Sequence, residues 1–210
     1  MQDRRVVFTD EAIRQRLLPG DPAPPISTKP PLTDEPRARF ARGRARVVML
    51  WNAGCSACMP VIETVSSFGV EHGIPCLAVA VLTRNPQATA IAVASAGHVE
   101  ATFAEEELHP TWSPMARGSM SRQWLEASGI AAIPAGYIVD QHGVVAWMGN
   151  PYEMMPVLTN ILCGRHDIQA ERKRMAAEIT DDDIAIGRIC RHISELLLEG
   201  RFGEAREAAE

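Results

Sequence analysis

The sequence has no long apolar run and no excess of positive charge. Among its 210 residues, no apolar stretch reaches the roughly 18–20 positions that a membrane-spanning helix needs. The formal net charge is -5, which gives no electrostatic basis for binding nucleic acid. Hydrophobic residues make up 46% of the chain and charged residues 22%, the ordinary proportions of a globular protein. We therefore expect no membrane span and no nucleic-acid partner.

Cysteine is scarce and odd in number. The five cysteines are Cys55, Cys58, Cys76, Cys163 and Cys190. An odd number at irregular spacing is not typical of the disulfide framework of a small secreted domain. Cys76 lies in an apolar run and Cys163 follows a helical pattern, so both are predicted to be buried apolar residues. The pair Cys55 and Cys58 is the one whose spacing indicates chemistry.

The order of the apolar segments predicts an α/β domain. Residues 47–51 form a continuous apolar run, as in a strand covered on both faces, and residues 74–82 form a second one. Residues 137–139 and 144–147 flank a short turn, which predicts an antiparallel hairpin. Helices are predicted from the cysteine pair to about residue 69, within 87–108 together with a loop, at 119–128 and at 152–162. This order predicts a mixed sheet sandwiched by helices.

The chain is predicted to have three parts. Residues 1–18 form a tail or a short helix, residues 19–167 form the α/β domain, and residues 168–210 form a helical extension. Within the extension, a charged connector at 168–179 precedes a capped helix at 180–199. A turn and a last short helix follow. This extension resembles the joint between the two helices of a tetratricopeptide repeat.

The stretch WNAGCSACMP, residues 51–60, places Cys55 and Cys58 where a predicted strand passes into a predicted helix. The unpaired N–H groups and the dipole of a helix N-terminus favour a thiolate at the first sulfur. Cys58 follows one turn later, close enough to form a disulfide with Cys55 and less accessible to solvent. The pair can then act asymmetrically, with Cys55 attacking a partner disulfide and Cys58 resolving the mixed intermediate.

Two other interpretations of the pair stay open at this point. Two cysteines three positions apart can be core residues, and they can also be half of a tetrahedral zinc site. The sequence has no second Cys-x-x-Cys and no pair of histidines at ligand spacing to complete such a site, so no metal is expected. The position between a strand and a helix favours the redox interpretation.

Several separated motifs resemble the thioredoxin superfamily, and most closely its TlpA-like disulfide reductase branch. The resemblance extends from about residue 20 to residue 167. The matching stretches are GDPAP at 20–24, VVMLWNAGCSAC at 47–58, Ile133-Pro134, YIVD at 137–140 and, after Gly143, residues 147–151. The resemblance implies the thioredoxin fold, in which a mixed central sheet is flanked by helices.

The resemblance also implies roles for residues around the cysteine pair. Cys55 and Cys58 are implied to be catalytic. Ile133-Pro134 is implied to form a cis-proline loop, whose backbone pairs with an extended client segment beside Cys55. Gly54 stands where the family usually has a tryptophan, so the lip over Cys55 is expected to be more open. The residues implied to bind the client are Trp51, Gly54, Ile133 and Pro134.

One departure from the family concerns proton transfer. Met49 stands six positions before Cys55, where thioredoxins carry a buried acid that assists the resolving cysteine. Glu63 is the candidate for a replacement proton acceptor, with an exposed helix glutamate as the alternative interpretation. The departure leaves thiol chemistry in place and changes the expected rate and potential.

Two functions are compatible with the sequence. The first is a thiol–disulfide oxidoreductase that acts on protein disulfides through its Cys-x-x-Cys pair, without a cofactor. It would need protein disulfide or dithiol clients and an unidentified electron donor. The second is a redox-sensitive binding or sensor module that acts through the helical tail, with little or no turnover. Residues 180–210 are the candidate surface for a partner or for self-association.

The residues and the resemblance predict different compartments. Asp10, Glu11 and Arg14 interrupt any apolar region near the N-terminus, which is not typical of a secretory signal and favours a cytoplasmic location. In the cytoplasm the pair would rest mainly reduced. The resemblance favours the periplasm instead, for a chain from which a leader or an anchor has been removed.

Overall fold

A computed structural model gives the structure of the chain. It describes residues 16–32, 43–83, 85–108, 118–130, 132–178, 189, 192–193, 196 and 200–208. The chain divides into two compact units, one of them Leu17–Arg172 and the other formed by Met1–Arg16 with Lys173–Glu210. None of the helices in the described part is long and apolar enough to cross a lipid bilayer.

Two predictions fall largely outside the described residues. The N-terminal tail or helix predicted at 1–18 is described only from residue 16 onward. The helix predicted at 180–199 is described at only four positions, so the candidate partner surface at 180–210 stays a prediction.

The first unit is built on a five-stranded mixed sheet. Its strands are β1 Arg46–Trp51, β2 Cys76–Ala80, β3 Thr102–Glu105, β4 Ala135–Val139 and β5 Val145–Gly149. Their order across the sheet is β3-β2-β1-β4-β5. β1, β2 and β3 are parallel neighbours, whereas β4 is antiparallel to both β1 and β5. The structure thus confirms the predicted mixed sheet and its antiparallel hairpin.

Among the described residues, helices alternate with strands as far as β4, and three α-helices follow β5. They are α1 Cys58–Glu71, α2 Pro86–Ser95, α3 Met154–Leu162, α4 Ile168–Ala177 and α5 Phe202–Glu207. A π-helical segment, Ser121–Glu126, lies inside the helix predicted at 119–128, and a 3-10 turn, Pro151–Glu153, precedes α3.

Both faces of the sheet are covered, which explains the continuous apolar run of β1. Successive strand residues point to opposite faces. Met49 and Trp51 lie in the core cluster that includes α1 and α3. On the other face, Tyr137 of β4 packs edge-to-face on Trp124 of the π-helical segment, with ring centroids 5.1 Å apart. All six residues of β1 are therefore buried.

Two elements differ from the sequence prediction. β3 lies within residues 87–108, for which only helix and loop are predicted. Its four residues are too few to show a periodic pattern, and the strand forms because it pairs in parallel with β2. α4 replaces the charged connector predicted at 168–179. Asp167 caps it, because its Oδ1 accepts from the N–H groups of Gln169 and Ala170 at 2.9 and 3.0 Å.

Candidate active site

The carboxyl end of β1 leads into residues 52–57, which we call the redox loop. Cys55 in this loop and Cys58 are joined by a disulfide, with their Cα atoms 5.5 Å apart. Cys58 is the first residue of α1, so the helix begins later than the predicted start at Cys55. The Cys58 N–H donates to the Cys55 carbonyl oxygen at 3.2 Å, which closes the turn before the helix. The pair is therefore held at disulfide distance, as its spacing predicts.

The two cysteines differ in their access to solvent. Cys58 is 0% exposed and lies in the core cluster, whereas Cys55 is partly exposed and packs against the edge of that cluster. Ala57, which precedes α1, makes no side-chain capping hydrogen bond. The Cys58 N–H already donates to the Cys55 carbonyl oxygen and Pro60 has no N–H, so it is chiefly the positive end of the α1 dipole that favours negative charge at Cys55. This geometry is the asymmetry that thiol–disulfide exchange needs.

The structure corrects the predicted client contact of Trp51. This side chain is 1% exposed and packs edge-to-face on Phe103, with ring centroids 5.6 Å apart. A residue so deeply buried cannot touch a client while the fold is intact. Trp51 is buried because it is the last residue of a strand that is covered on both faces. Its contribution is to the apolar wall around Cys58, which belongs to the same core cluster.

Asn52 is not among the predicted site residues, yet it shapes the redox loop. Its Oδ1 accepts from the N–H of the exposed Gly54 at 2.9 Å, and its carbonyl oxygen accepts from the Cys55 N–H at 3.0 Å. Its Nδ2 donates to the carbonyl oxygens of Val81 at 2.8 Å and Leu82 at 3.2 Å. An asparagine directly after a buried strand is a signal for such a side-chain turn.

Ile133 and Pro134 lie at the same end of the sheet as the disulfide. Both are partly buried, and the peptide bond between them is cis. β4 begins immediately after Pro134, and in its register with β1 Leu50 lies opposite Ala135. Continuing this antiparallel register places Pro134 beside Trp51, from which the chain enters the redox loop.

Tyr152 is a second residue that the sequence motifs do not identify. Its hydroxyl donates to the carbonyl oxygen of Ala57 at 2.8 Å, inside the Cys-x-x-Cys segment. Asn150 shapes the turn, because its Oδ1 accepts from the Tyr152 N–H at 3.2 Å. Pro151 packs closely on β4, since a Cβ atom added at Gly136 would lie 3.1 Å from the Cβ atom of Pro151. With 56% of its surface exposed, Tyr152 borders the redox loop.

Met49 and Glu63 are the two residues that the sequence connects with proton transfer. Met49 is 0% exposed and lies in the apolar core. Glu63 follows Cys58 by five positions on α1, which turns it about 140° away from that cysteine around the helix axis. Its side chain is 49% exposed, and its Oε1 lies 3.3 Å from Nε2 of His98. The structure places Glu63 on the solvent side of α1, and its role in proton transfer stays a prediction.

The other described cysteines are not part of this pair. Cys76 is buried in β2, and burial raises the pKa of its thiol to about 12. Cys163 is exposed, so its predicted burial is wrong; it caps the C-terminus of α3, beyond the buried positions of that helix. Within the described ranges, no group of three His, Cys, Asp or Glu side chains could hold a metal ion.

Known proteins of similar sequence are distant. No family model matches the chain. The chain is 25% identical over 151 residues to protein FixW of Rhizobium leguminosarum, a match that covers 69% of this chain. It spans 66% of FixW, slightly less than two thirds of that protein's length.

Solved structures of similar fold include proteins named for thiol–disulfide chemistry. A thiol-disulfide isomerase from Corynebacterium glutamicum superposes with a TM-score of 0.55 and 14% identity, covering 71% of this chain and 99% of that one. The thioredoxin domain of a thiol-disulfide oxidoreductase from Bacteroides vulgatus superposes with a TM-score of 0.52 and 17% identity, covering 70% and 99%. The mixed sheet of the first unit therefore has the thioredoxin fold, and the bonded cysteine pair lies at the carboxyl end of its central strand.

Proposed function

We propose that the protein is a thiol–disulfide oxidoreductase that acts on protein clients through Cys55 and Cys58. One observation carries the proposal: Cys55 and Cys58 are bonded to each other at the N-terminus of α1, and Cys55 is partly exposed whereas Cys58 is completely buried. An exposed sulfur can meet the sulfur of a client, while a buried one is protected from every thiol except its neighbour. A pair of core cysteines would not need this asymmetry.

In the reducing direction, the reaction begins with the dithiol form of the protein. The Cys55 thiolate attacks one sulfur of a client disulfide, so a Cys55–client disulfide forms and the other client sulfur leaves as a thiolate. The Cys58 thiolate then attacks the Cys55 sulfur and displaces the second client sulfur. Two electrons have passed to the client, which takes up two protons, and the Cys55–Cys58 disulfide remains. The reverse sequence oxidises a client dithiol.

The surface around Cys55 supports a protein client. Gly54 is exposed, and the segment Ile133–Pro134 lies at the same end of the sheet. Because proline has no N–H, the backbone before it can pair with an extended client segment without competition from the chain's own ladder. The resemblance to the TlpA-like branch favours a reductase that receives its electrons from another thiol protein. Two solved structures of similar fold are named as a thiol-disulfide isomerase and a thiol-disulfide oxidoreductase, and these names agree with exchange chemistry at the cysteine pair.

Reduction of insulin by dithiothreitol, followed by turbidity, tests the proposal. We expect the wild-type protein to accelerate precipitation of the insulin B chain and Cys55→Ser to lose this effect completely. Cys163→Ser is the matched control, since it removes an exposed cysteine that has no disulfide partner. Equal rates for wild type and Cys55→Ser would contradict the proposal. Absence of turnover, together with partner binding that depends on the redox state, would favour the binding or sensor module instead.

A further inference from the structure

Glu106 is a buried acidic residue that the proposed reaction does not use. It follows β3 directly and is 3% exposed. Its Oε1 accepts from the Leu82 N–H at 2.9 Å, and its Oε2 accepts from the Ser121 N–H at 2.8 Å and from Ser121 Oγ at 2.6 Å. A Cβ at Gly118 would overlap the Glu106 side chain, so a glycine leaves the space in which this side chain lies. The surrounding residues thus provide both the space and the hydrogen-bond donors for the carboxylate of Glu106.

The hydrogen bond to Leu82 holds an unusual backbone conformation. Leu82 has φ 54°, in the left-handed region that is unfavourable for residues with a side chain. Such a conformation persists where surrounding contacts determine it. Leu82 follows β2 at the carboxyl edge of the sheet, the edge from which the redox loop also leaves β1. Glu106 therefore fixes the loop that runs beside the redox loop.

Asn52 connects these two loops. Its Nδ2 donates to the carbonyl oxygens of Val81 and Leu82, at 2.8 and 3.2 Å. Its own carbonyl oxygen accepts from the Cys55 N–H at 3.0 Å. A continuous series of hydrogen bonds thus runs from Glu106 through Leu82 and Asn52 to the backbone of the reactive cysteine.

We propose that Glu106 is a positioning residue for the disulfide pair, which it holds through Leu82 and Asn52. The inference rests on the proposed function and deepens it. A fixed redox loop keeps Cys55 close to Cys58, which raises the effective concentration of one thiol for the other and favours the disulfide form. Loosening the loop lowers that effective concentration and shifts the equilibrium towards the dithiol.

The test is the equilibrium of the full chain with reduced and oxidised glutathione, measured for Glu106→Gln. Glutamine has one carbonyl oxygen in place of two carboxylate oxygens, so its side chain cannot accept from both the Leu82 N–H and the Ser121 N–H. The hold on Leu82 is then weakened, either because its own hydrogen bond is lost or because Ser121 no longer fixes the side chain at position 106. We expect the equilibrium constant for disulfide formation to fall about fivefold. Glu105→Gln is the matched control: it changes the neighbouring buried acidic group, which pairs with Lys29 at 2.8 Å and not with the Leu82 N–H, and we expect less than about a twofold change in the equilibrium constant.

A double-mutant cycle with Asn52→Ala tests the route. If Glu106 acts through Asn52, the double variant shifts the equilibrium by clearly less than the product of the two single changes. Three results would overturn the proposal. The first is that the effects of Glu106→Gln and Asn52→Ala on the equilibrium constant simply multiply. The second is that Glu106→Gln and Glu105→Gln change the equilibrium constant equally, and the third is that Glu106→Gln folds and keeps the wild-type equilibrium constant. If Glu106→Gln does not fold, Ser121→Ala replaces it, because it removes one donor to Glu106 and leaves the carboxyl group. An unchanged equilibrium in Ser121→Ala then overturns the proposal, and a shift towards the dithiol supports it.

This measurement separates the two proposals. A wild-type pair that never exchanges with glutathione would contradict the thiol–disulfide function itself. A wild-type pair that exchanges, with no effect of the substitutions, would contradict the role of Glu106 alone.

Discussion

The chemistry of a cysteine depends on what surrounds its sulfur, and three environments occur among the described cysteines. Cys76 is buried in apolar surroundings, where its pKa rises to about 12 and it stays a thiol at neutral pH. Cys58 is equally buried but is bonded to Cys55, which is partly exposed. Cys163 is exposed without a disulfide partner. Among the described cysteines, only Cys55 combines access to solvent with a bonded neighbouring sulfur, as the proposed exchange reaction requires.

The difference in solvent access between Cys55 and Cys58 predicts which of the two cysteines, when its partner is replaced by serine, forms a mixed disulfide. In a Cys163→Ser background, we expect Cys58→Ser to accumulate a mixed disulfide on Cys55 when it is incubated with oxidised glutathione. Cys55→Ser in the same background should form at least about tenfold less adduct on Cys58, since glutathione cannot reach a completely buried sulfur. Mass spectrometry with peptide mapping measures both adducts. Equal adduct formation on the two cysteines would show that burial does not protect Cys58.

At the scale of elements, the site is the junction of β1, the redox loop and α1. The position of α1 is set at its other end, where its last turn meets the segment that enters β2. The Ile74 N–H donates to the Gly69 carbonyl oxygen at 2.7 Å, and a Cβ at Gly69 would overlap the Ile74 carbonyl oxygen. Since backbone atoms cannot move aside as a flexible side chain can, only glycine fits there.

This close approach predicts that Gly69→Ala destabilises the protein, although alanine is the better helix former. We expect the free energy of unfolding to fall by about 1–3 kcal/mol, the usual cost of overpacking. Gly97→Ala is the control, because its Cβ would meet only an ordinary contact of 3.6 Å with the Ala94 carbonyl oxygen. Urea unfolding followed by tryptophan fluorescence compares them. A Gly69→Ala protein as stable as Gly97→Ala would contradict the proposed packing.

At the scale of the whole molecule, the covered sheet buries two groups that ionise in alkaline solution. Burial raises the pKa of Cys76 to about 12. Burial also raises the pKa of Tyr137, against the smaller opposite effect of its hydrogen bond with Ser128. Both groups therefore stay protonated in the folded protein at pH values where the unfolded chain releases their protons.

The unfolded state thus binds fewer protons at high pH, and stability falls as the pH rises. For Cys76 this loss extends from about pH 9 to about pH 12, between its ordinary and its raised pKa. Each fully ionising group contributes a slope of about 1.4 kcal/mol per pH unit. We expect Cys76→Ala and Tyr137→Phe each to show a shallower decline than wild type between these limits, measured by urea unfolding at a series of pH values. Identical slopes would contradict the assignment.

Local patterns were enough to predict most of the first unit. β1 and the hairpin β4–β5 have apolar runs and turn residues within a few positions of each other, so neighbouring residues are enough to predict these strands. β3 was not predictable in this way, because four residues show no period and the strand depends on pairing with β2. α4 was missed because its charged sequence resembles a connector, while the decisive contact is the cap at Asp167.

By itself, the sequence determined the order of β1, β2, β4 and β5, the placement of Cys55 and Cys58 after a buried strand, and the proline before β4. These features depend on residue types and short spacings. Only the tertiary structure decided which side chains surround the pair: Trp51 faces the core, Asn52 reaches a loop 29 positions away, and Tyr152 reaches back 95 positions to Ala57. Such contacts form because separate strands end at one edge of the sheet, a proximity that no local pattern encodes.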